Sequence, residues 1–424
     1  MKKAKNRWLI ALSGVGIHIC IGSVYAWSNF TNPLISQFGW SASQVQMTFS
    51  IAILFLGLSA AFLGHFVEKH GPRKAGLLAA IFFGVGVFGS GIAVHFGSLP
   101  LLYIFYGVFG GIGLGVGYIA PVSTLVKWFP DRRGLATGLA IMGFGFAAAI
   151  SSPIMDALIK SFGTANAFFS LGIAYFVVMT ISALYLEKPA ENWKPKGFNE
   201  ATMKNNTRLA TDLSQLTANE AIKTSRFYYL WIMLFINTTC GIAILSAAKP
   251  LAQESIGLTT TEAAALVGVL GLFNGFGRLG WASISDYFGR PNTYTTFFVL
   301  QIILFALLPH TTISILFQIM LAIVYTCYGG GFATIPAYIG DLFGTKQLGA
   351  IHGYILTAWA AAGLVGPLFA AWIKDTTGSY ANSLTFFAGF FIVSLIISLV
   401  IRVDIRKLKE NQAVQGSTGK PVNL

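Results

Sequence analysis

Asn274 and Arg278 sit one helical turn apart inside residues 261–290, TEAAALVGVLGLFNGFGRLGWASISDYFGR, an apolar run long enough to cross a bilayer. Residues at i and i+4 share a helix face, so amide and guanidinium point the same way. Asp286, eight residues on, and Arg290 mark the water edge. At about 1.5 Å per residue, Arg278 lies about 12 Å inside that edge, near the middle of a hydrocarbon core roughly 30 Å thick. A guanidinium stays charged there, at a cost between about 3 and more than 10 kcal/mol. Glu68, Asp156, Glu254, Glu262, Asp286 and Asp341 all fall at loops or span ends, so no carboxylate shares the depth of Arg278. A structural arginine brings a fixed carboxylate with it; this one waits for a mobile anion.

His18 is a second candidate for chemistry, about 15 Å along its span from Trp8 and so near mid-membrane. A lone membrane histidine can titrate and relay protons, or it can hydrogen-bond a neighbouring helix. His352, close to the start of a later span, is the other candidate proton carrier. Tyr25 follows in the first span and can face either way, while Trp27 suits the outer interfacial belt. Tyr118 stands about 13 Å inward of Lys127, and Trp359 about 15 Å inward of Gly349, matching the depth of Arg278. Catalysis finds no support: no metal-ligand spacing, nucleophile elbow or phosphate loop occurs outside the spans. Gly84-Val85-Gly86-Val87-Phe88-Gly89 has the form of a dinucleotide loop but lies within a span, without the strand–turn–helix setting. Cys20, Cys240 and Cys327 all fall inside spans and read as small packing residues. No cofactor or metal is expected.

The elements that carry these residues are membrane helices. Of the 424 residues 55% are hydrophobic and only 10% charged, a composition outside the range of soluble domains. Twelve apolar spans start near residues 8, 44, 75, 100, 134, 166, 227, 261, 292, 313, 349 and 382. The net charge of +13 does not point to nucleic acid, because it alternates from loop to loop. Lys2, Lys3, Lys5 and Arg7 precede the first span; Lys69, Arg73, Lys74, Lys127, Arg132 and Arg133 follow the second and fourth. Lys188, Lys194, Lys196, Lys204, Arg208, Lys223 and Arg226 lie between the sixth and seventh. Arg290, Lys346 and the tail, with Arg402, Arg406, Lys407, Lys409 and Lys420, complete that side, against Lys160, Lys249 and Lys374 on the other. This bias predicts both termini in the cytoplasm of a multi-pass protein of the inner or plasma membrane. The N-terminus has features of a signal peptide, with Val24-Tyr25-Ala26 as a cleavage site, but cleavage would delete one of the twelve spans, so an uncleaved first helix is expected.

The chain divides into a six-helix half (1–186), a cytoplasmic linker (187–225), a second half (226–402) and a cytoplasmic tail (403–424). Phe129, Ala136, Ile141, Pro153 and Ala157 recur 214 positions later as Phe343, Ala350, Ile355, Pro367 and Ala371, the mark of a duplication. Such repeats put a substrate path between the halves. Gly107, Gly111 and Gly115 predict a packing and rocking surface, and Asp156 with Lys160 an exposed ion pair.

The loop after the second span, Gly64-His65-Phe66-Val67-Glu68-Lys69-His70-Gly71-Pro72-Arg73-Lys74, is a compact charged hinge. It resembles the signature loop of the major facilitator superfamily, with Glu68 where Asp is usual. The loop after the eighth span repeats it through Asp286, Gly289 and Arg290, with Ala282 replacing the first glycine. WFPDRRGLATG (128–138) and FNGFGR (273–278) resemble the fifth and eighth helices of bacterial oxalate:formate antiporters and their lactate- and pyruvate-transporting relatives. The resemblance runs along the whole chain. It implies an all-α transporter of twelve transmembrane helices in two pseudosymmetric halves, with Glu68, Gly71, Arg73, Asp286, Gly289 and Arg290 in gating loops. It also implies that the aromatics four and eight residues before Pro336, Phe332 and Tyr328, line the substrate chamber. The expected function is secondary transport of small monocarboxylates coupled to a proton, around a site of Arg278, Asn274, Tyr118, Tyr328, Phe332, Trp359 and Tyr25. The alternatives are oxalate/formate-type antiport or a non-transporting carboxylate sensor. In the resembling oxalate carriers a lysine fills the place of Trp359; here one cation remains, suiting one carboxylate. Animal monocarboxylate transporters carry an aspartate one turn before the arginine, where this chain has Asn274, so His18, His352 or the protonated substrate would have to carry a proton. The expected partners are a small carboxylate, a proton and the lipid bilayer, for a monomer that binds no nucleic acid.

Overall fold

The computed structural model describes residues 5–190, 193–195 and 213–418. Of the basic residues named above, Lys2, Lys3, Lys196, Lys204, Arg208 and Lys420 lie outside the described residues, as do residues 191, 192 and 196–212 of the 187–225 linker.

Twelve of the described helices are long and apolar enough to cross a membrane. They are α1 (Arg7–Ala26), α2 (Ser43–His70), α3 (Pro72–His95), α4 (Leu99–Trp128), α5 (Arg133–Phe162) and α6 (Thr164–Tyr185), followed by α7 (Ser225–Ile256), α8 (Thr261–Phe288), α9 (Arg290–His310), α10 (Ser314–Phe343), α11 (Leu348–Thr377) and α12 (Ala381–Glu410). Each start falls within three residues of the one read from hydropathy. No strand occurs among the described residues. The fold is a multi-pass all-α membrane bundle. The two hinge glycines account for two of its three tightest connections, the third being Gly163 between α5 and α6: Gly71 has φ +84° and Gly289 φ +86°. Both values lie where only glycine sits without strain, so α2 runs into α3, and α8 into α9, across a single residue.

The duplicated residues occupy equivalent places: Phe129 and Phe343 end α4 and α10, Ala136 and Ala350 open α5 and α11, and Pro153 and Pro367 lie inside those helices. The halves meet along two matching seams, α2 with α11 and α5 with α8. A Cβ on Gly64 would sit 2.7 Å from the Ala350 Cα, and one on Gly353 would run into the Ala60 carbonyl. In the second seam, a Cβ on Gly134 would collide with the Ala282 carbonyl, and one on Gly138 would lie 2.9 Å from that of Arg278. Ala282 is tolerated where the repeat has Gly64 because the facing Gly134 supplies the room. By contrast, Gly107, Gly111 and Gly115 pack against Ile51, Ala52 and Leu56 of α2, within the first half. They are a static packing surface, not the rocking one expected, because α2 and α4 belong to the same half.

Polar contacts between the halves cluster at the basic end. Asp286 accepts hydrogen bonds from the Gly134 and Leu135 amides, both 2.8 Å, at the start of α5. It also pairs with Arg290 at 2.7 Å. Asp341 takes Arg133 at 3.2 Å and Arg290 at 3.3 Å. On the other seam, Glu68 accepts from the Gly349 amide (2.8 Å), which opens α11, and from Lys127 (2.8 Å). Carboxylates at helix N-termini meet both unsatisfied amides and the positive end of the dipole. Lys188 joins Glu68 at 3.7 Å, and burial together with the Lys127 charge pushes its ammonium below the ordinary lysine value, with Glu68 opposing. Arg73 does not join this closure; half-exposed, it reaches Glu187 at 3.5 Å. Asp156 and Lys160 form the expected exposed pair, 2.6 Å.

Trp27 departs from the interfacial placement. It is buried against Tyr106 (4.4 Å between ring centroids), Phe30 and Phe168, because the chain stays helical through Trp27 into the short helix Ser28–Phe38, whose Phe30 stacks on Phe168.

Gly134→Leu should force α5 away from α8 at the basic end and lower stability by about 1–3 kcal/mol, as overpacking does. A lower midpoint of thermal unfolding in detergent is the expected result, and an unchanged midpoint would show that the seam tolerates separation.

Candidate functional site

Arg278 and Asn274 face inward from α8 at the level where both seams converge. Arg278 is 1% exposed. Its Nε donates to Asn274 Oδ1 at 3.1 Å, whereas Nη1 and Nη2 have no protein partner. The amide therefore fixes the inner side of the guanidinium and leaves the outer fork free. Of the other buried arginines, Arg133, Arg226 and Arg290 each lie against a carboxylate. Among the described residues no carboxylate pairs with Arg278.

Two ring faces sandwich the guanidinium, Phe144 at 5.7 Å and Phe332 at 5.6 Å, within cation–π range. Trp359 closes the wall, 4.6 Å from Phe332, 5.6 Å from Tyr118 and 5.7 Å from Phe144. Tyr25 is turned inward by a 3₁₀ turn over Ser23–Ala26 and stacks edge-on against Phe144 at 4.9 Å. Tyr328 completes the box, 6.1 Å from Phe332. The hydroxyls of Tyr25, Tyr118 and Tyr328 and the indole N–H of Trp359 are buried without a protein partner, as is the Arg278 fork. All of these groups can donate hydrogen bonds, and the guanidinium and indole can only donate. Trp359 thus brings a polar edge as well as the apolar wall read from its position.

Local sequence explains how such large groups converge. Gly329 lets α10 approach α8: a Cβ there would lie 2.6 Å from Asn274 Oδ1 and 3.1 Å from Arg278 Cγ. Gly241 of α7 makes room for the Tyr328 ring. One turn earlier on the same face, Asn237 Nδ2 donates to the Tyr328 carbonyl (3.3 Å) and is itself held by Gln301 (3.0 Å). In α11 the helix is interrupted at Leu356, between Leu348–Ile355 and Thr357–Thr377, just before Trp359.

All seven residues expected in the site come together. His18 and His352 flank it behind Tyr118, at ring distances of 5.2 and 5.8 Å. Glu68, Gly71, Asp286, Gly289 and Arg290 lie instead at the basic-end closure. Phe144 was not singled out in the sequence, since an unaccompanied phenylalanine in a Gly/Ala-rich span carries no signal of its azimuth. The 214-residue repeat does relate two walls of the box, Tyr118 and Phe332.

Comparison with known proteins fits this architecture. The chain matches the Major Facilitator Superfamily over residues 14–367 and 239–424. It belongs to that superfamily. Among curated proteins it is 28% identical over 401 residues to the oxalate:formate antiporter of Oxalobacter formigenes, covering 92% of each chain. It is 25% identical over 430 residues to monocarboxylate transporter 12 of Xenopus laevis, covering 95% of this chain and 90% of that one. Among solved structures, the superfamily transporter FucP in the outward conformation aligns with a TM-score of 0.72 at 14% identity, over 92% of this chain and 98% of that one. The superfamily fold places its two six-helix halves around the box described above.

Asn274→Leu should leave the buried guanidinium without its one hydrogen bond and destabilise the protein by about 1.5–3 kcal/mol, the range for a hydrogen bond to a charged group. Asn274→Asp should instead form an ion pair and unfold at a higher temperature than the parent. The reverse order in thermal unfolding would mean that Arg278 is compensated elsewhere.

Proposed function

We propose that this superfamily member is a secondary transporter of small monocarboxylates of the lactate or pyruvate type. It moves the anion together with a proton by exposing the box alternately to the two sides of the cell membrane. The carrying observation is the free Nη1/Nη2 fork of Arg278 in a buried box whose other unpartnered groups donate hydrogen bonds. A guanidinium fork matches a carboxylate in bidentate fashion, and exclusion of water strengthens that pair. The rings of Phe144, Phe332 and Trp359 suit a short apolar tail. The basic end then faces the cytoplasm, as the positive-inside rule requires, and opening towards it needs the Asp286–Gly134 and Glu68–Gly349 contacts to part. Relatives named as an oxalate:formate antiporter and a monocarboxylate transporter agree with the ligand class.

The experiment is uptake of radiolabelled lactate into proteoliposomes, with and without a pH gradient. Arg278→Lys keeps the charge but loses the fork, so uptake should fall about tenfold to a hundredfold, the equivalent of about 1.5–3 kcal/mol for a charged hydrogen bond. Normal uptake by a well-inserted Arg278→Ala would sink the reading.

Dicarboxylate exchange is the second reading, favoured by the oxalate:formate antiporter relative. One fixed cation in the box suits one carboxylate. Trp359→Lys would add a second across from Arg278, costly without a dianion to share. The variant should transport lactate more weakly and become inhibitable by oxalate or malonate. Unaltered selectivity in a folded variant would remove Trp359 from the site.

A further inference from the structure

Behind the Tyr118 wall of the box, His18 is fully buried between α4 and α5. Both of its ring nitrogens face main-chain carbonyls: Nδ1 lies 2.6 Å from Ala140 O and Nε2 lies 3.2 Å from Tyr118 O. A carbonyl oxygen can only accept, and a neutral imidazole has a single N–H. In either neutral tautomer one ring nitrogen therefore turns a lone pair towards an oxygen, and only the imidazolium donates to both. The two carbonyls form a cradle for a charged histidine. Opposing that charge are chiefly the absence of water and, less, the guanidinium of Arg278, which shares the Phe144 ring with His18: the imidazole lies 6.4 Å and the guanidinium 5.7 Å from its centroid. The groups that surround the ring are few. Tyr118 faces it from α4, Arg278 from α8 and His352 from α11. The neighbouring part of α5 contributes the Ala140 carbonyl and the Phe144 ring, and α6 sets Ser182 against Gly16. Among the described residues no carboxylate faces His18.

We infer that His18, held between two carbonyl acceptors, binds the co-transported proton, and that a carboxylate on Arg278 assists by cancelling a neighbouring positive charge. The inference rests on the reading of Arg278 as the anion's partner. Without an anion, exclusion of water and, to a lesser degree, the guanidinium keep the ring neutral despite its two acceptors. With one bound, the arginine–carboxylate pair carries no net charge and the cradle takes a proton, which reaches the ring from the same aqueous side as the anion. Anion and proton then cross as a neutral pair. Coupling of this kind is reciprocal: protonation of His18 tightens anion binding by the factor by which the anion favours protonation. His352 is the poorer host, because both of its ring nitrogens lack any protein acceptor.

The test is isothermal titration of the purified full-length protein with L-lactate near neutral pH, in two buffers that differ in ionisation enthalpy. The difference in apparent heat gives the protons taken up per lactate. The parent should take up about one proton, and its affinity should weaken with rising pH by up to about tenfold per unit, as linkage of one proton requires. His18→Gln should still bind lactate, take up close to none and lose the pH dependence. Binding by the parent without proton uptake, or undiminished uptake by His18→Gln, overturns the inference while leaving the carboxylate site intact. Uptake abolished by His352→Gln but not by His18→Gln would move the proton to the other histidine and also overturn it. Should His18→Gln fail to fold, the parent's proton count and its survival or loss in His352→Gln decide the matter. If the parent binds no lactate, pyruvate or oxalate, the reading of Arg278 itself fails, a result distinct from binding without proton uptake.

Discussion

A guanidinium buried at mid-membrane with a single hydrogen bond is the constraint to which the rest of the molecule answers. Water would satisfy the cation and lipid would not, so the neighbouring helices must supply what they can. They supply one amide oxygen from Asn274 and the negative faces of Phe144 and Phe332. Cation–π contacts are worth about 0.5–2 kcal/mol each, less than the cost of burying the charge. The remaining deficit is the driving force for an anion, and a carboxylate that completed the site would stabilise the protein as it bound.

The same helix links the site to the closure. Arg278 and Asp286 are both on α8, and Asp286 holds the opening amides of α5 from the other half. Displacement of α8 at the box must therefore be felt at the basic end. The seams themselves are built from glycine and alanine, with backbones in near contact at Gly64–Ala350 and Gly134–Ala282. At these points main chain meets main chain with few side chains between, so charged contacts at the seam ends can govern whether the halves separate. Asp341 adds a layer beneath, tied to Arg133 across the halves and to Arg290 within its own. Breaking the closure costs the Arg133–Asp341 pair and the amide bonds to Asp286 and Glu68 together, which favours a switch between discrete arrangements over gradual opening.

Hydropathy determined the twelve spans and the depth of the polar residues along them, because in a bilayer these follow from the axial coordinate alone. That was enough to isolate Arg278 as an unpaired cation and to put Tyr118 and Trp359 near its level. The repeat pointed to two matching halves, and the hinge glycines to the tight turns after α2 and α8, since a φ near +85° has one natural occupant. What the chain did not reveal is azimuth. Tyr25 faces the box and Trp27, two residues on, is sealed inside its own half. The cause is a 3₁₀ turn and a further helix, Ser28–Phe38, that no span-length pattern records. Phe144 and Gly329 matter only through what lies across from them. The cradle of His18 is made of main-chain carbonyls, which every residue possesses and no residue type advertises. Axial position is written in the sequence; which faces meet is decided by packing.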